Sequence, residues 1–310
     1  MHKLQAVSRP VLSLILPIHG VDPEQVFAAA RSAERAELGG LWVPDHLLNA
    51  GHPTNGVLEC WTLLAALAGR TVRLPIGPLV LTTPFRHPVL VAKSAATLAS
   101  LAPGRLRLGL GSGGMTYAKT CQQFGYPELS PGERVAHCRE TAKAIRTLLE
   151  KDPGTYQNQY VNAQEVRIWP RPDRCPPIIL AARRPGMLRA TAELADGWNC
   201  PLPHELADGL SALEAAGRPR DSIHVSVFSI LVLGRDRAEA SAMLSKAGRA
   251  AQLFGDVERH HLFGDPADVA DRIRALADAG ADEVTLDVRG APVDQIVDRL
   301  AREVIPLLGS

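Results

Sequence analysis

The sequence predicts a closed (β/α)8 barrel of the TIM type. Three observations lead there. Short strand-like runs alternate with amphipathic helical segments from one end of the chain to the other, which requires a parallel sheet with helices packed outside it. About eight such units fit into 310 residues, a size that favours a closed barrel over an open doubly wound sheet. The composition, 46% hydrophobic and 22% charged, is that of a globular chain able to bury a large core. A single barrel domain over residues 1–310 follows, with an insertion after the fourth β/α unit.

The elements follow in order. Val11–Leu16 is a short apolar β-type run, and Pro23–Leu38 is an amphipathic helix with Asp22 as its N-cap. Gly39 and Gly40 stop that helix, and Leu41–Val43 is the next strand. Leu58–Ala68 reads as helix, and Leu74–Leu81 as one extended apolar run. Pro88–Leu101 is a helix with proline at the favoured first position. Arg105–Leu110 is a strand running into glycines, residues 115–131 read as a loop, and Gly132–Leu149 is a helix. Gly154–Pro172 is polar and turn-rich, fitting a small hairpin insertion. Pro177–Ala181, Gly197–Asn199, Ile223–Leu233 and Glu283–Asp287 are strands. Gly186–Leu194, Glu205–Ala215, Arg237–Ala251, Pro266–Ala279 and Val293–Leu308 are helices, with Asp265 as a cap.

Charge and cysteines narrow the function classes. Thirty-four basic residues against thirty-three acidic ones leave no strong field for nucleic acid or an anionic membrane. Five cysteines with no C-x-x-C pair argue against a disulfide framework or a zinc ribbon. With no early apolar segment longer than a strand, the expected setting is the cytoplasm. No metal site is expected, since His260 and His261 lack ligand-spaced partners.

In such a barrel the chemistry sits after the strands. After the second comes Asp45-His46, an imidazole able to give or take a proton. After the third come Thr82 and Thr83, candidate polar contacts at the mouth. After the fourth comes G-L-G-S-G-G, from Gly109 to Gly114. It fits G-x-G-x-x-G literally, but it lies in the fourth unit and opens no helix, so it is not a dinucleotide fingerprint. Its glycines fit close approach of a flat ligand. After the fifth come Arg183, Arg184 and Gly186 at a helix start, a setting suited to an anion.

Taken together, these residues resemble the luciferase-like monooxygenase superfamily, in particular its deazaflavin (coenzyme F420)-dependent branch. The segments that carry the resemblance are GLWVPDH (40–46), LECWT (58–62) with FRHP (85–88), PGRLRLGLGSG (103–113), PIILAA (177–182) with LADGWN (194–199), and FGDP (263–266) with AGADE (279–283). The ordered set spans nearly the whole chain.

The resemblance implies a flavin or deazaflavin in the barrel mouth, with Asp45 beside the ring and His46 facing it as acid/base. It implies a non-prolyl cis peptide at Leu79–Val80 forming a bulge behind the ring, and a ring contact from Thr82. Gly111, Ser112 and Gly113 would run along the ring and its side chain, with Arg183, Arg184 and Gly186 receiving the phosphate. Sugar-phosphate dehydrogenases of the family carry a catalytic Glu after the fourth-strand glycines, where this chain has Gly114 and Met115.

The expected activity is F420-dependent hydride transfer to or from a C=C, C=N or C=O group of a small organic substrate, in a homodimer. The alternatives are an FMN-dependent monooxygenase using O2 and a separate reductase, and a non-catalytic barrel with or without cofactor.

Overall fold

The computed structural model describes residues 10–49, 55–247 and 254–309. Its strands are β1 (Val11–Ile15), β2 (Leu41–Val43), β3 (Ile76–Pro78), β4 (Leu81–Thr82), β5 (Leu108–Gly111), β6 (Gly154–Gln157), β7 (Asn162–Val166), β8 (Ile178–Ala181), β9 (Gly197–Cys200), β10 (His224–Leu233), β11 (Leu262–Gly264) and β12 (Glu283–Val288). Apart from the antiparallel β6–β7 hairpin, every paired strand runs parallel, in the order β3-β2-β1-β12-β10-β9-β8-β5-β4. β3 and β4 are one stave interrupted by the cis Leu79–Val80 peptide. Ile76 also bridges Leu106 ahead of β5, so the sheet curls back on itself into a nearly closed barrel. β9 pairs with the start of β10, and β11 with its far end.

Strand alternation divides the interior into two layers. Leu12, Leu14, Leu41, Val43, Leu108, Leu110, Ile178 and Leu180 point outward into the main core under the helices. Ile15, Trp42 and Ile179 point inward, with Leu79 and Phe228 against them. Several caps act as the sequence indicates. The Asp22 carboxylate accepts the Glu24 N–H at 2.8 Å, and Asp265 accepts from Ala267 and Asp268.

Three expectations need correction. Leu74–Leu81 is not one run, because the Leu79–Val80 bulge splits it. Residues 115–131 are not all loop. Tyr117–Phe124 is a helix that buries Tyr117, Thr120 and Cys121 on one face and ends at Gly125 with φ +73°. β11 and the short helix Val257–His260 were not expected, being too short to show a period. The helix from Arg237 is described to Ala247, and the rest of its expected span lies outside the described residues.

Below the apolar floor sits a buried carboxylate. Glu283 on β12 is fully buried, accepts the Trp42 Nε1–H of β2 at 2.9 Å, and shares a 2.8 Å hydrogen bond with His224 of β10. Arg107, just before β5, lies 3.5 Å away. Burial alone would push this carboxyl up. The His224 hydrogen bond and the His224 and Arg107 charges outweigh burial and hold it at about 2. The folded value lies below the ordinary 4.5, so its stabilisation is full above that value and is lost as pH falls from about 4.5 toward about 2. Denaturant melts across that window should show wild type losing stability faster than Glu283→Gln. Parallel loss in both would contradict this role.

Candidate active site

The mouth is built from strand ends, and its firmest part is a buried ion pair. Asp45 follows β2 and is 4% exposed. Its carboxylate accepts Arg86 Nη1 at 2.5 Å, Arg86 Nη2 at 2.8 Å and the Thr82 N–H at 2.9 Å. Arg86 also reaches Glu59 at 2.8 Å, and Glu59 caps the helix Cys60–Arg70 by accepting the Thr62 N–H. Burial works against ionising Glu59, but the N–H bonds and Arg86 keep it below its ordinary value. The network joins the ends of β2 and β4 to a helix start. Asp45 therefore does not present its carboxylate to a ligand: both its oxygens are engaged by protein donors, and it anchors the loop that carries His46.

His46 stands next to this anchor, open to solvent at the mouth yet walled by the barrel. Its Nδ1 lies 2.8 Å from Nε2 of His19, with ring centroids 5.0 Å apart. His19 is held by a clamp of the 18–20 segment on 56–58: Leu58 N–H donates to Ile18 O and Gly20 N–H to Gly56 O. Asp287, near the end of β12, and Arg289, just after it, are paired at 2.5 Å beside the two imidazoles. Burial, then the charges of His46 and Arg289, lower His19 to about 4, with Asp287 opposing. Burial and Arg289 also lower His46. Both shifts favour the neutral ring. His19, Asp287, Arg289, Arg86 and Glu59 escaped the sequence reading as site residues. The FRHP and LECWT segments held the signal for two of them, whereas nothing local marks His19.

The glycines after the fourth strand serve the protein itself. A Cβ on Gly109 would lie 2.2 Å from the Pro78 carbonyl oxygen, and one on Gly111 2.5 Å from Val80 Cγ2. The bulge by itself already requires these two glycines. Gly113, at φ +95°, lies against the Tyr117 ring, and its carbonyl accepts Arg134 Nη1 at 3.1 Å. Ser112 and Thr82 are half-buried, while the Thr83 hydroxyl donates to Gly111 O.

The anion loop is also revised. Arg183 forms a bidentate pair with Glu205 at 2.5–2.8 Å, so its charge is already matched. Arg184 is exposed and provides no side-chain cap to the helix Pro185–Leu194. The first bond into that helix is Leu188 N–H to Arg184 O, so the Gly186 and Met187 N–H groups precede the helical ladder and suit an anion. Trp198 faces outward against Gly209 and donates to Ala182 O, away from the mouth. Among the described residues no group of three or more His, Cys, Asp or Glu is arranged to hold a metal ion. None of their helices is long and apolar enough to cross a membrane.

Against known proteins, residues 13–261 match the luciferase-like monooxygenase family. F420-dependent glucose-6-phosphate dehydrogenase of Kineococcus radiotolerans is 26% identical over 92% of this chain and 93% of its own. The Beutenbergia cavernae enzyme of that name is 35% identical over 57% of this chain and 52% of its own. Among solved structures, an F420-dependent secondary alcohol dehydrogenase with an F420-acetone adduct superposes at TM-score 0.84 and 18% identity, over 97% of this chain and all of the other. The F420-dependent tetrahydromethanopterin reductase of Methanopyrus kandleri gives 0.79 at 21% identity, over 97% and 99%.

Removing one partner of the buried ion pair should strand the other's charge. Arg86→Met is expected to cost about 3–5 kcal/mol in a denaturant melt, with much of that recovered when Asp45→Asn is added. An Arg86→Met protein as stable as wild type would contradict the pairing. The chain belongs to the luciferase-like monooxygenase family.

Proposed function

We propose that the protein is an F420-dependent oxidoreductase that moves hydride between the deazaflavin C5 and a C=C, C=N or C=O group of a small organic substrate. One observation carries this reading. A neutral imidazole, His46, is anchored by a buried ion pair over an apolar barrel floor, in a chain aligned over 92% of its length with F420-dependent dehydrogenases.

The residues fit such a cofactor. The Gly186 and Met187 N–H groups, with Arg184 beside them, would hold its phosphate. Leu79 and Val80 at the bulge, with Ile15, Trp42, Ile179 and Phe228, would back a flat ring. Thr82 at the end of β4 would offer its hydroxyl to the ring edge. Bound F420 supplies the hydride chemistry, and the protein supplies position, exclusion of water and a proton at His46 Nε2. Gly114 and Met115 are exposed and place no carboxylate beside the fourth-strand glycines, so the sugar-phosphate substrate of the relatives is not carried over.

The direct test titrates the purified protein with F420 and with FMN. Tight F420 and weak FMN binding is expected. The reverse preference would move the protein to oxygen-using monooxygenases, and binding of neither would remove the redox reading. His46→Ala should lower turnover about 100-fold or more while leaving F420 affinity close to wild type. Unchanged turnover would take His46 out of the mechanism.

A further inference from the structure

We propose that His19 is a positioning residue that fixes the His46 tautomer, so that His46 presents an Nε2–H donor to the barrel mouth. The inference deepens the reading of His46 given above and rests on it for its catalytic meaning.

Hydrogen-bond counting at the two rings identifies the donor. Two neutral imidazoles joined nitrogen to nitrogen share one proton, so one ring donates and the other accepts. The contact is His19 Nε2 to His46 Nδ1 at 2.8 Å. The remaining nitrogen of His19, Nδ1, is buried with no hydrogen-bond partner among the described residues. If His46 donated, His19 would have to carry its own proton on that nitrogen, leaving a buried N–H with no acceptor. Orphaned buried N–H groups are rarer than under-satisfied acceptors. If His19 donates, the buried nitrogen holds only a lone pair. The second arrangement is the less costly one. The Asp287 carboxylate does not alter the count, because it is paired with Arg289 at 2.5 Å. The Arg289 guanidinium also disfavours adding a second positive charge to either ring.

The assignment has a chemical consequence at the other end of His46. With Nδ1 accepting, the proton of the ring is on Nε2, which has no protein partner among the described residues. A neutral imidazole presenting N–H polarises a carbonyl oxygen or an imine nitrogen, whereas one presenting a lone pair accepts the proton of an alcohol or amine. The pair therefore matches the site to substrates whose reacting atom accepts a hydrogen bond, carbonyls and imines.

The test begins on the full chain without cofactor, so its outcome is independent of F420 binding. Histidine labelled with nitrogen-15 is incorporated, and resonances are assigned with His19→Gln and His46→Gln. At neutral pH, His46 is expected to show a protonated Nε2 and a bare Nδ1, and His19 a protonated Nε2. A protonated Nδ1 on His46, or an imidazolium in either ring, would overturn the proposal. His19→Glu replaces the donor with an acceptor and should move the His46 proton to Nδ1. His19→Gln keeps an N–H within reach and should retain the wild-type tautomer. If F420 binds, His19→Glu should reduce kcat for carbonyl or imine reduction about 100-fold with little change in cofactor affinity, and His19→Gln should restore much of it. Equal kcat in all three proteins would overturn the positioning role. Failure of F420 to bind would defeat the oxidoreductase reading and leave the tautomer result standing.

Discussion

The mouth of this barrel depends on the Asp45–Arg86 pair. Arg86 is 13% exposed and the Asp45 side chain is fully buried, so both charges have left water. Such a pair holds only with good geometry and with its remaining lone pairs satisfied. Here it has both: a two-pronged guanidinium contact and the Thr82 N–H at Asp45, with Glu59 also accepting from Arg86 Nη2. The result is a rigid tie between three elements far apart in sequence. His46 takes its place from that tie, and through His46 so does the whole proton-handling end of the site.

A second constraint shapes the wall beside it. β3 and β4 are offset by the Leu79–Val80 bulge, which pushes Pro78 O and the Val80 side chain toward β5. β5 can lie that close only because Gly109 and Gly111 have no side chains. The apolar floor of Ile15, Trp42 and Ile179 closes the barrel beneath the mouth, and the Glu283 cluster forms a polar layer below it.

Much of this was legible in the sequence, because alternation of strands and helices depends on local composition. The barrel, most element positions and the place of His46 after β2 could be read from runs, caps and motifs, and the place of the bulge only from the family resemblance. Side-chain direction could not. Asp45 sits beside His46 in every reading of the chain, yet its carboxylate turns away to an arginine 41 positions on. Arg183 looked free beside a helix start, but Glu205, 22 positions on, takes its charge. The glycine run reads as close approach of a ligand, yet Gly109 and Gly111 are already required by Pro78 O and the Val80 side chain. His19 gave no signal, since its only claim to a role is a partner 27 positions away. In each case the deciding contact is non-local and specific to one atom, which periodicity and propensity do not encode.

The central claim is that a ligand enters at the imidazole pair. It is tested most directly by following the ring C–H resonances of carbon-13-labelled histidines while coenzyme F420 is added to the protein. The account predicts that His46 and His19 shift saturably with the cofactor, while His224, bonded to Glu283 below the barrel floor, stays in place. Saturable binding that leaves His46 and His19 unmoved, with shifts confined to other histidines, would contradict it.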